Sequence, residues 1–335
     1  MSRIELIIAA RLPPKLKRAL FAPRIPSHLA NCFTPVDEES IARIRQSLVD
    51  NFFPRSHPSD YLSTQEGKKD LFNHLIGRLN TTRSTVIPWL DSTKTLRNTE
   101  ILEIGCGTGA STIALSEQGA KVTALDMDEV ALRVAKLRCT EYGLEVKFVL
   151  ANAIDTQKLF AGKHFEMVIF YGSLEHMTHL ERMKAMKDTW DMLRTGDLWV
   201  VVEAPNRLWY YDHHTSWLPF FVWLPDDLAF EYSRYSPRGS FRECFSDETE
   251  EKMTDFLRRG RGVSYHEFEL TMNKPINQLE VVSCLSSFLR RQHMLNRLRW
   301  RFSTERSFEK LLSHAEPHVH PCFYQPALDL IIRKS

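Results

Sequence analysis

The sequence has little that would tie it to a membrane, a polyanion or an oxidising compartment. No apolar run approaches the ~20 residues needed to cross a bilayer, and the stretch Ile4 to Ala10 carries Glu5 and is short for a secretory signal. A targeting role for the basic stretch Arg11 to Arg24 stays open on composition alone. Charges nearly cancel, with 44 Lys and Arg against 42 Asp and Glu, whereas a nucleic-acid enzyme is more often strongly basic. The six cysteines, at 32, 106, 139, 244, 284 and 322, include no C-x-x-C pair. That spacing points to reduced thiols in a cytoplasmic protein, not to a disulfide framework or a zinc site. There is no internal repeat and no low-complexity segment. What remains is a chain of 335 residues with 43% hydrophobic content, which can bury one large core or a core with a cap.

The chain is organised around residues 98 to 112, NTEILEIGCGTGAST. Ile101, Leu102 and Ile104 read as a buried strand that empties into the turn Gly105-Cys-Gly-Thr-Gly109 and then a helix of small residues. Glycines allow a sharp turn and close backbone approach to a ligand, and a helix start offers unpaired N–H groups. The next strand, Lys121 to Asp126, ends in a carboxylate about 20 residues past the first glycine, where a nucleotide ribose would present its hydroxyls. Alone this is ambiguous, because Gly105, Gly107 and Ala110 also satisfy the dinucleotide spacing G-x-G-x-x-A.

Strands are expected near 100–104, 121–126, 146–151, 165–171 and 198–203, with helices near 109–118, 128–142 and 178–193. Such alternation argues for a parallel sheet covered on both faces. The special residues fall at the carboxyl ends of the strands, where ligands bind in such sheets: Gly105 to Gly109, Asp126, Asn152, Tyr171 to His176, and Glu203 to Asn206. Before the alternation, residues 1 to 60 are punctuated by prolines. A helix starts at Asp37, and a long amphipathic one runs from Thr64 to Trp89, with Ser63 or Thr64 as its cap. After it, residues 207–316 read as an inserted helical cap, with helices over 247–259 and 278–312. Ala327 to Arg333 returns as the last strand, and Val263 to Leu270 or His318 to Tyr324 would supply the sixth.

With Glu103 two residues before the first glycine, the loop E-x-G-x-G-x-G and the segment Ser173-Leu-Glu-His-Met177, residues 60 to 206 and the last strand resemble the class I S-adenosylmethionine (SAM)-dependent methyltransferases of small molecules, such as the ubiquinone-pathway enzymes. The resemblance implies a Rossmann-like, doubly wound α/β sheet, mostly parallel with an antiparallel last strand beside the fifth. It would carry N-terminal helices over 1–95, a SAM-binding core over 96–206, the cap over 207–316 and terminal strands over 317–335.

It further implies that Glu103, Gly105, Cys106, Gly107 and Gly109 surround the methionine portion of SAM. Asp126 would take the ribose hydroxyls and Met127 would lie against the adenine. Asn152 and Ala153 stand where the family often has an acidic residue, so that contact would lose its charge. Tyr61 and Tyr171 complete the expected cofactor site. Methyl transfer is an in-line displacement, so the protein has mainly to align the acceptor and exclude water.

A hydroxyl acceptor needs a base, for which His176, His213 or His214 are candidates. A carboxylate acceptor needs positive donors instead. Arg207 stands beside the histidines, although it could equally pair with Asp212. Tyr211, Trp217, Arg234, Arg238, Arg261 and His266 would line the cap side. The expectation is O-methylation of an acidic small molecule. The alternatives are a hydroxyl or amine acceptor, a non-catalytic SAM-fold binding or assembly protein, and a nicotinamide oxidoreductase. The arginines of 290–301 read as a solvated helix face. His314, His318 and His320 lack ligand spacing, so no metal is expected, nor nucleic-acid or membrane contact. A homodimer is a further expectation from the aromatic N-terminal and cap segments.

Overall fold

The computed structural model describes residues 24–245, 249–292, 300–301 and 303–335. Two compact units divide the chain at Tyr171/Gly172.

In the unit Pro23–Tyr171, four strands are parallel neighbours in the order β3-β2-β1-β4: β1 (Glu100–Ile104), β2 (Lys121–Asp126), β3 (Lys147–Leu150) and β4 (Met167–Tyr171). Ile101, Leu102 and Ile104 of β1 are fully buried, as are Met167, Val168 and Phe170 of β4, the near-continuous apolar runs that a sheet covered on both faces requires.

Helix α1 (Glu38–Ser47) starts where the Asp37 carboxylate accepts the Ser40 N–H at 2.7 Å. Helix α2 (Gln65–Phe72) is capped by Thr64, whose hydroxyl accepts from Gly67 N at 2.9 Å. Short helical segments, two of them wide π-type turns, continue it to Asp91, so the single long helix read from the sequence is real but unevenly wound. Helix α3 (Ala110–Glu117) leaves the glycine turn, and α4 (Glu129–Glu141) starts on the Asp128 cap. These boundaries lie within a residue or two of those expected.

In the unit Gly172–Ser335, α5 (His179–Met192) opens with a Thr178/Glu181 capping box and β5 (Leu198–Pro205) follows. The last strand, β7 (Ala327–Arg333), runs antiparallel to β5, with Leu198 opposite Arg333. In this unit the strand order is β5-β7-β6, the antiparallel end that the Rossmann-like expectation called for.

The sixth strand is neither expected candidate. It is β6 (Glu280–Cys284), antiparallel to β7. Its short run Val-Val-Ser-Cys sits directly before Leu285-Ser-Ser-Phe-Leu-Arg-Arg291, and the helical periodicity of the second stretch masked the strand. Residues 263–270 instead enter helix α8 (Tyr265–Met272) through a Ser264/Glu267 capping box. Residues 321–324 form a 3₁₀ turn. The expected helix over 278–312 is accordingly β6, then α9 (Leu285–Gln292), and later α10 (Thr304–Ala315); Arg297 and Arg299 lie outside the described residues.

The cap region has its own aromatic cluster. Phe221, Phe230, Phe241, Phe245 and Phe256 are buried together, several edge-to-face. They come from the turn at 221–223, α6 (Asp226–Tyr232), the helix Gly239–Cys244 with its next residue, and α7 (Glu250–Leu257). No helix among the described residues is long and apolar enough to cross a membrane.

The reading of all cysteines as reduced thiols is corrected by a disulfide between Cys284, at the end of β6, and Cys322, with Cα atoms 5.7 Å apart, an ordinary span for such a bridge. The partners are 38 residues apart, so no local C-x-x-C pattern could have revealed them. The unreduced chain unfolded in denaturant should titrate four thiols, those of Cys32, Cys106, Cys139 and Cys244. Closing a loop of this length is worth about 3–4 kcal/mol, so reductant should lower the thermal midpoint of the wild type and leave that of a Cys284→Ala/Cys322→Ala variant unchanged. Six reactive thiols without reductant would contradict the bridge.

Candidate active site

The cofactor candidates fall in the unit Pro23–Tyr171. The glycine loop follows β1. Gly107 has a positive φ, and a side chain built there would meet nothing within 4 Å, so this is the face of the loop open to a ligand. Gly109 serves a different end. A Cβ there would come within 2.9 Å of the Ala135 Cβ, so this glycine lets α3 start against α4.

Asp126 ends β2. One oxygen accepts Gly107 N–H at 2.7 Å and the other accepts Asp128 N–H at 2.9 Å. Two amides therefore orient the carboxylate and leave its remaining lone pairs for hydroxyl donors. Burial raises its pKa against these hydrogen bonds. Met127 beside it is 58% exposed, as an apolar shelf for a purine would be. Asn152 turns its side-chain oxygen onto Ile154 N–H at 3.2 Å, and Ala153 is buried. Tyr61 stacks on His57 with centroids 3.8 Å apart and reaches Asp70 through its hydroxyl at 3.2 Å. Tyr171 ends β4 with its hydroxyl 3.0 Å from Thr82 Oγ1.

Glu103 lies beneath the loop, not at its open face. It is fully buried, and its two oxygens accept the Ser111 hydroxyl and the Thr112 hydroxyl, the latter at 2.6 Å. Its role toward a ligand is to hold the first turn of α3 in place. Burial pushes its pKa up from 4.5 to about 7, against the pull of those two hydroxyls. Cys106 is buried too, and burial, with Glu103 and Asp126 nearby, keeps its thiol protonated.

Two residues that sequence reasoning missed complete the brace. Arg138 of α4 is fully buried and donates through Nη1 to the carbonyls of His74 and Thr108, each at 3.0 Å. His74 touches the Thr108 hydroxyl at 3.3 Å, and burial pulls its pKa down to about 3. Neither belongs to a local motif, and only the fold brings them to the loop.

The acceptor candidates fall in the unit Gly172–Ser335. A cavity of about 290 Å³ is lined by Glu203, Pro205, Asn206, Tyr211, Asp212, His213, His214, Val222, Pro326 and Ala327. Glu203 stands at a bulge in β5 with φ +63°, the kind of irregularity that re-aims a side chain.

Asp212 builds the histidine turn. Its oxygens accept the N–H groups of His214, Thr215 and Ser216 and the Ser216 hydroxyl, at 2.8–3.1 Å. It is therefore occupied by its own turn, not by Arg207. The signal was legible as an Asp-x-x-Thr turn. His213 lies against the Tyr211 ring at 4.5 Å, while His214 turns toward Glu175. His176 does the same from its own turn at 174–176. Glu175, buried between them, is the principal site residue the sequence reading passed over, although it stands beside His176 in Ser-Leu-Glu-His-Met.

The cap arginines are turned to the protein itself. Arg261 is 2% exposed, pairs with Asp226 at 2.9 Å, donates to the Leu224 carbonyl and lies over the Phe221 and Phe256 rings. Arg234, in the turn that follows α6, pairs with Glu231 near the end of that helix. Arg238 reaches the carbonyls of His214 and Thr215 and lies over Trp217. Arg207 is held through its backbone N–H on the Val263 carbonyl at 2.9 Å. His266 bonds the Ser264 hydroxyl at 2.6 Å and stacks on Tyr265. Tyr211 donates to the Trp217 carbonyl at 2.9 Å, and Trp217 is exposed.

Because Glu103 titrates near 7 folded and near 4.5 unfolded, its contribution to stability is complete below 4.5 and lost as pH rises through 7. Between pH 5 and pH 8 the wild type should therefore lose about 1–3 kcal/mol relative to Glu103→Gln, read as the difference of their denaturant midpoints. A pH-independent difference would contradict a buried, titrating carboxyl.

Residues 101–196 match the family model described as "Methyltransferase domain". Among curated proteins, the chain is 34% identical over 93 residues to a ubiquinone biosynthesis O-methyltransferase of Stutzerimonas stutzeri, covering 27% of this chain and 39% of that protein. It is 35% identical over 89 residues to one of Thiobacillus denitrificans, covering 27% and 38%. The chain thus spans well under half the length of these relatives, and residues 203–214 lie beyond the matched domain. Among solved structures, it is similar to the SAM-bound magnesium protoporphyrin IX methyltransferase of Synechocystis, at 20% identity and TM-score 0.37, covering 52% of this chain and 80% of that one. Glycine loop, seated carboxylate at the tip of β2 and matched domain agree: residues 101–196 are a methyltransferase domain of the SAM-dependent kind.

Proposed function

We propose that this protein transfers the methyl group of SAM to a hydroxyl oxygen of a small molecule. The observation that carries the reading is the convergence of Glu175, His176 and His214 beside a cavity whose polar lining is otherwise Glu203, Asn206, Tyr211, Asp212 and His213. This group can remove or lower the charge cost of losing a hydroxyl proton, which an alcohol or phenol needs before it attacks a sulfonium methyl. The curated relatives, named as O-methyltransferases, favour an oxygen acceptor over nitrogen.

A carboxylate acceptor is already ionised and would need a cationic grip. Of the candidates, Arg234, Arg238 and Arg261 each have acceptors within the chain, which leaves Arg207 alone to supply that grip. The hydroxyl reading therefore takes precedence over the acidic one. In this mechanism Asp126 binds the ribose, the loop from Gly105 to Gly109 receives the amino-acid end, and the histidine group prepares the acceptor oxygen. SAM supplies an activated methyl carbon. The O–C bond forms as the C–S bond breaks, leaving S-adenosylhomocysteine.

Turnover with SAM against a panel of phenols, alcohols, carboxylic acids and amines, read by product mass and fragmentation, should give methyl ethers. Methyl esters or N-methyl products would overturn the hydroxyl acceptor. Glu175→Gln and His214→Gln should each lower kcat by about 10²-fold or more, the scale of general acid–base assistance, with SAM affinity kept. Asp126→Ala should do the converse and weaken SAM binding by roughly 1.5–3 kcal/mol, the scale of a charged hydrogen bond; unchanged affinity in calorimetry would remove Asp126 from the site.

A further inference from the structure

The nitrogens of the histidine group are arranged in a way that a proton alone explains poorly. His176 Nδ1 lies 2.9 Å from the Arg258 carbonyl. A carbonyl only accepts, so Nδ1 carries the hydrogen and donates. His214 Nδ1 lies 2.9 Å from Thr215 Oγ1. That hydroxyl spends its one hydrogen on the carbonyl of Arg259 or Gly260, at 3.1 and 3.0 Å, so it accepts from His214 Nδ1–H. With Nδ1 donating in each ring, Nε2 is the nitrogen that can offer a lone pair to a cation.

Both Nε2 atoms face the same oxygen. His176 Nε2 is 3.9 Å and His214 Nε2 is 3.8 Å from Glu175 Oε1, beyond hydrogen-bond range. The three ligand-capable atoms lie within 4.8 Å of one another. Glu175 is 1% exposed, and its Oε2 has no hydrogen-bond partner among the described residues. Three lone-pair donors, one of them a buried carboxylate short of partners, converge on one point. Burying such a charge is costly unless a cation compensates it.

We propose that Glu175, His176 and His214 bind a divalent first-row transition-metal ion, with zinc as the reference case. Two imidazoles and one carboxylate are the ligand set of zinc sites that keep a fourth position open, and the same set suits Fe(II). Metal–ligand bonds of about 2.0–2.2 Å in tetrahedral array put ligand atoms roughly 3.4 Å apart, so the two histidine–carboxylate spacings must close by about half an ångström and the spacing between the two histidines, within 4.8 Å, by up to about 1.4 Å. The surroundings fit as well. Each imidazole already donates its other N–H to a carbonyl or to a hydroxyl bound to one, the arrangement that fixes ligating histidines. All this support comes from one short segment. Arg258 and Arg259 or Gly260 supply the carbonyls, and Gly260 N–H holds the Glu175 carbonyl at 3.2 Å. A Cβ on Gly260 would come within 2.6 Å of His214 Nδ1, so this segment can carry no side chain there. His214 also lines the cavity, which puts the open position beside the acceptor space. Resting on the hydroxyl-acceptor reading, the ion would bind the acceptor oxygen and lower its pKa. The proton leaves to solvent water and the oxygen keeps the electron pair for the methyl carbon.

The test is direct binding. Untagged full-length chain, stripped by chelator, is titrated with Zn2+ against a chromogenic chelator and with Co2+ by visible absorption. One ion per chain is expected, with the strong d–d bands of low-coordinate Co2+. Glu175→Gln and His214→Ala should each weaken Zn2+ by tenfold or more, while His318→Ala, at an exposed site, should not. Circular dichroism establishes that each variant is folded, and elemental analysis of the wild type stands independently of any variant. Stoichiometry well below one, or equal Zn2+ affinity in wild type and Glu175→Gln, overturns the metal site. The hydroxyl reading fails separately: a bound ion with ester or N-methyl products sinks that reading alone, and ether formation undiminished in metal-free enzyme sinks the metal site alone.

Discussion

A carboxylate and a guanidinium, both fully buried, hold the glycine loop from beneath. Glu103 gathers the hydroxyls of Ser111 and Thr112 at the first turn of α3, and Arg138 gathers the carbonyls of His74 and Thr108. Buried polar groups are costly unless hydrogen-bonded, so both groups favour one backbone path between β1 and α3. That path is the one that leaves the Gly107 face open and turns its N–H onto Asp126. The cofactor geometry is thus set by groups that do not themselves face solvent. It also explains why the loop can be glycine-rich without being loose: the backbone freedom of three glycines is removed from below.

The acceptor side uses a different device. Its histidines sit on turns, and the turns are made rigid by other acids. Asp212 takes three consecutive N–H groups to present His214, and Glu175 is anchored by Gly260 through its backbone. Polar residues that read as candidate ligand contacts divide accordingly. Those on tight turns are aimed at one another, His176 and His214 toward Glu175, while Arg261, in contact with Asp226 and two phenylalanine rings, is spent on the aromatic cluster of the cap.

The core was legible because its signals are local. A strand that is apolar throughout, a glycine turn and a carboxylate at the next strand tip fix β1, β2 and Asp126 within about thirty residues of sequence. The last strand was legible for the same reason, as an apolar run bounded by Pro326 and Lys334. What escaped depended on distance along the chain. β6 was hidden by the helical periodicity that begins at Leu285, and the Cys284–Cys322 bridge joins residues 38 apart. His74 and Arg138 reach Thr108 from other helices. Glu175 was in view but read as part of a motif, because a sequence cannot say that two histidines on separate turns point at one oxygen.

The central claim is that the loop and Asp126 select SAM, although their spacing also satisfies a dinucleotide fingerprint. Calorimetric titration of the full chain with SAM and with NAD tests it most directly. The account predicts one SAM per chain and no measurable NAD binding under the same conditions. Saturable NAD binding with SAM silent would contradict it and return the chain to the oxidoreductase reading.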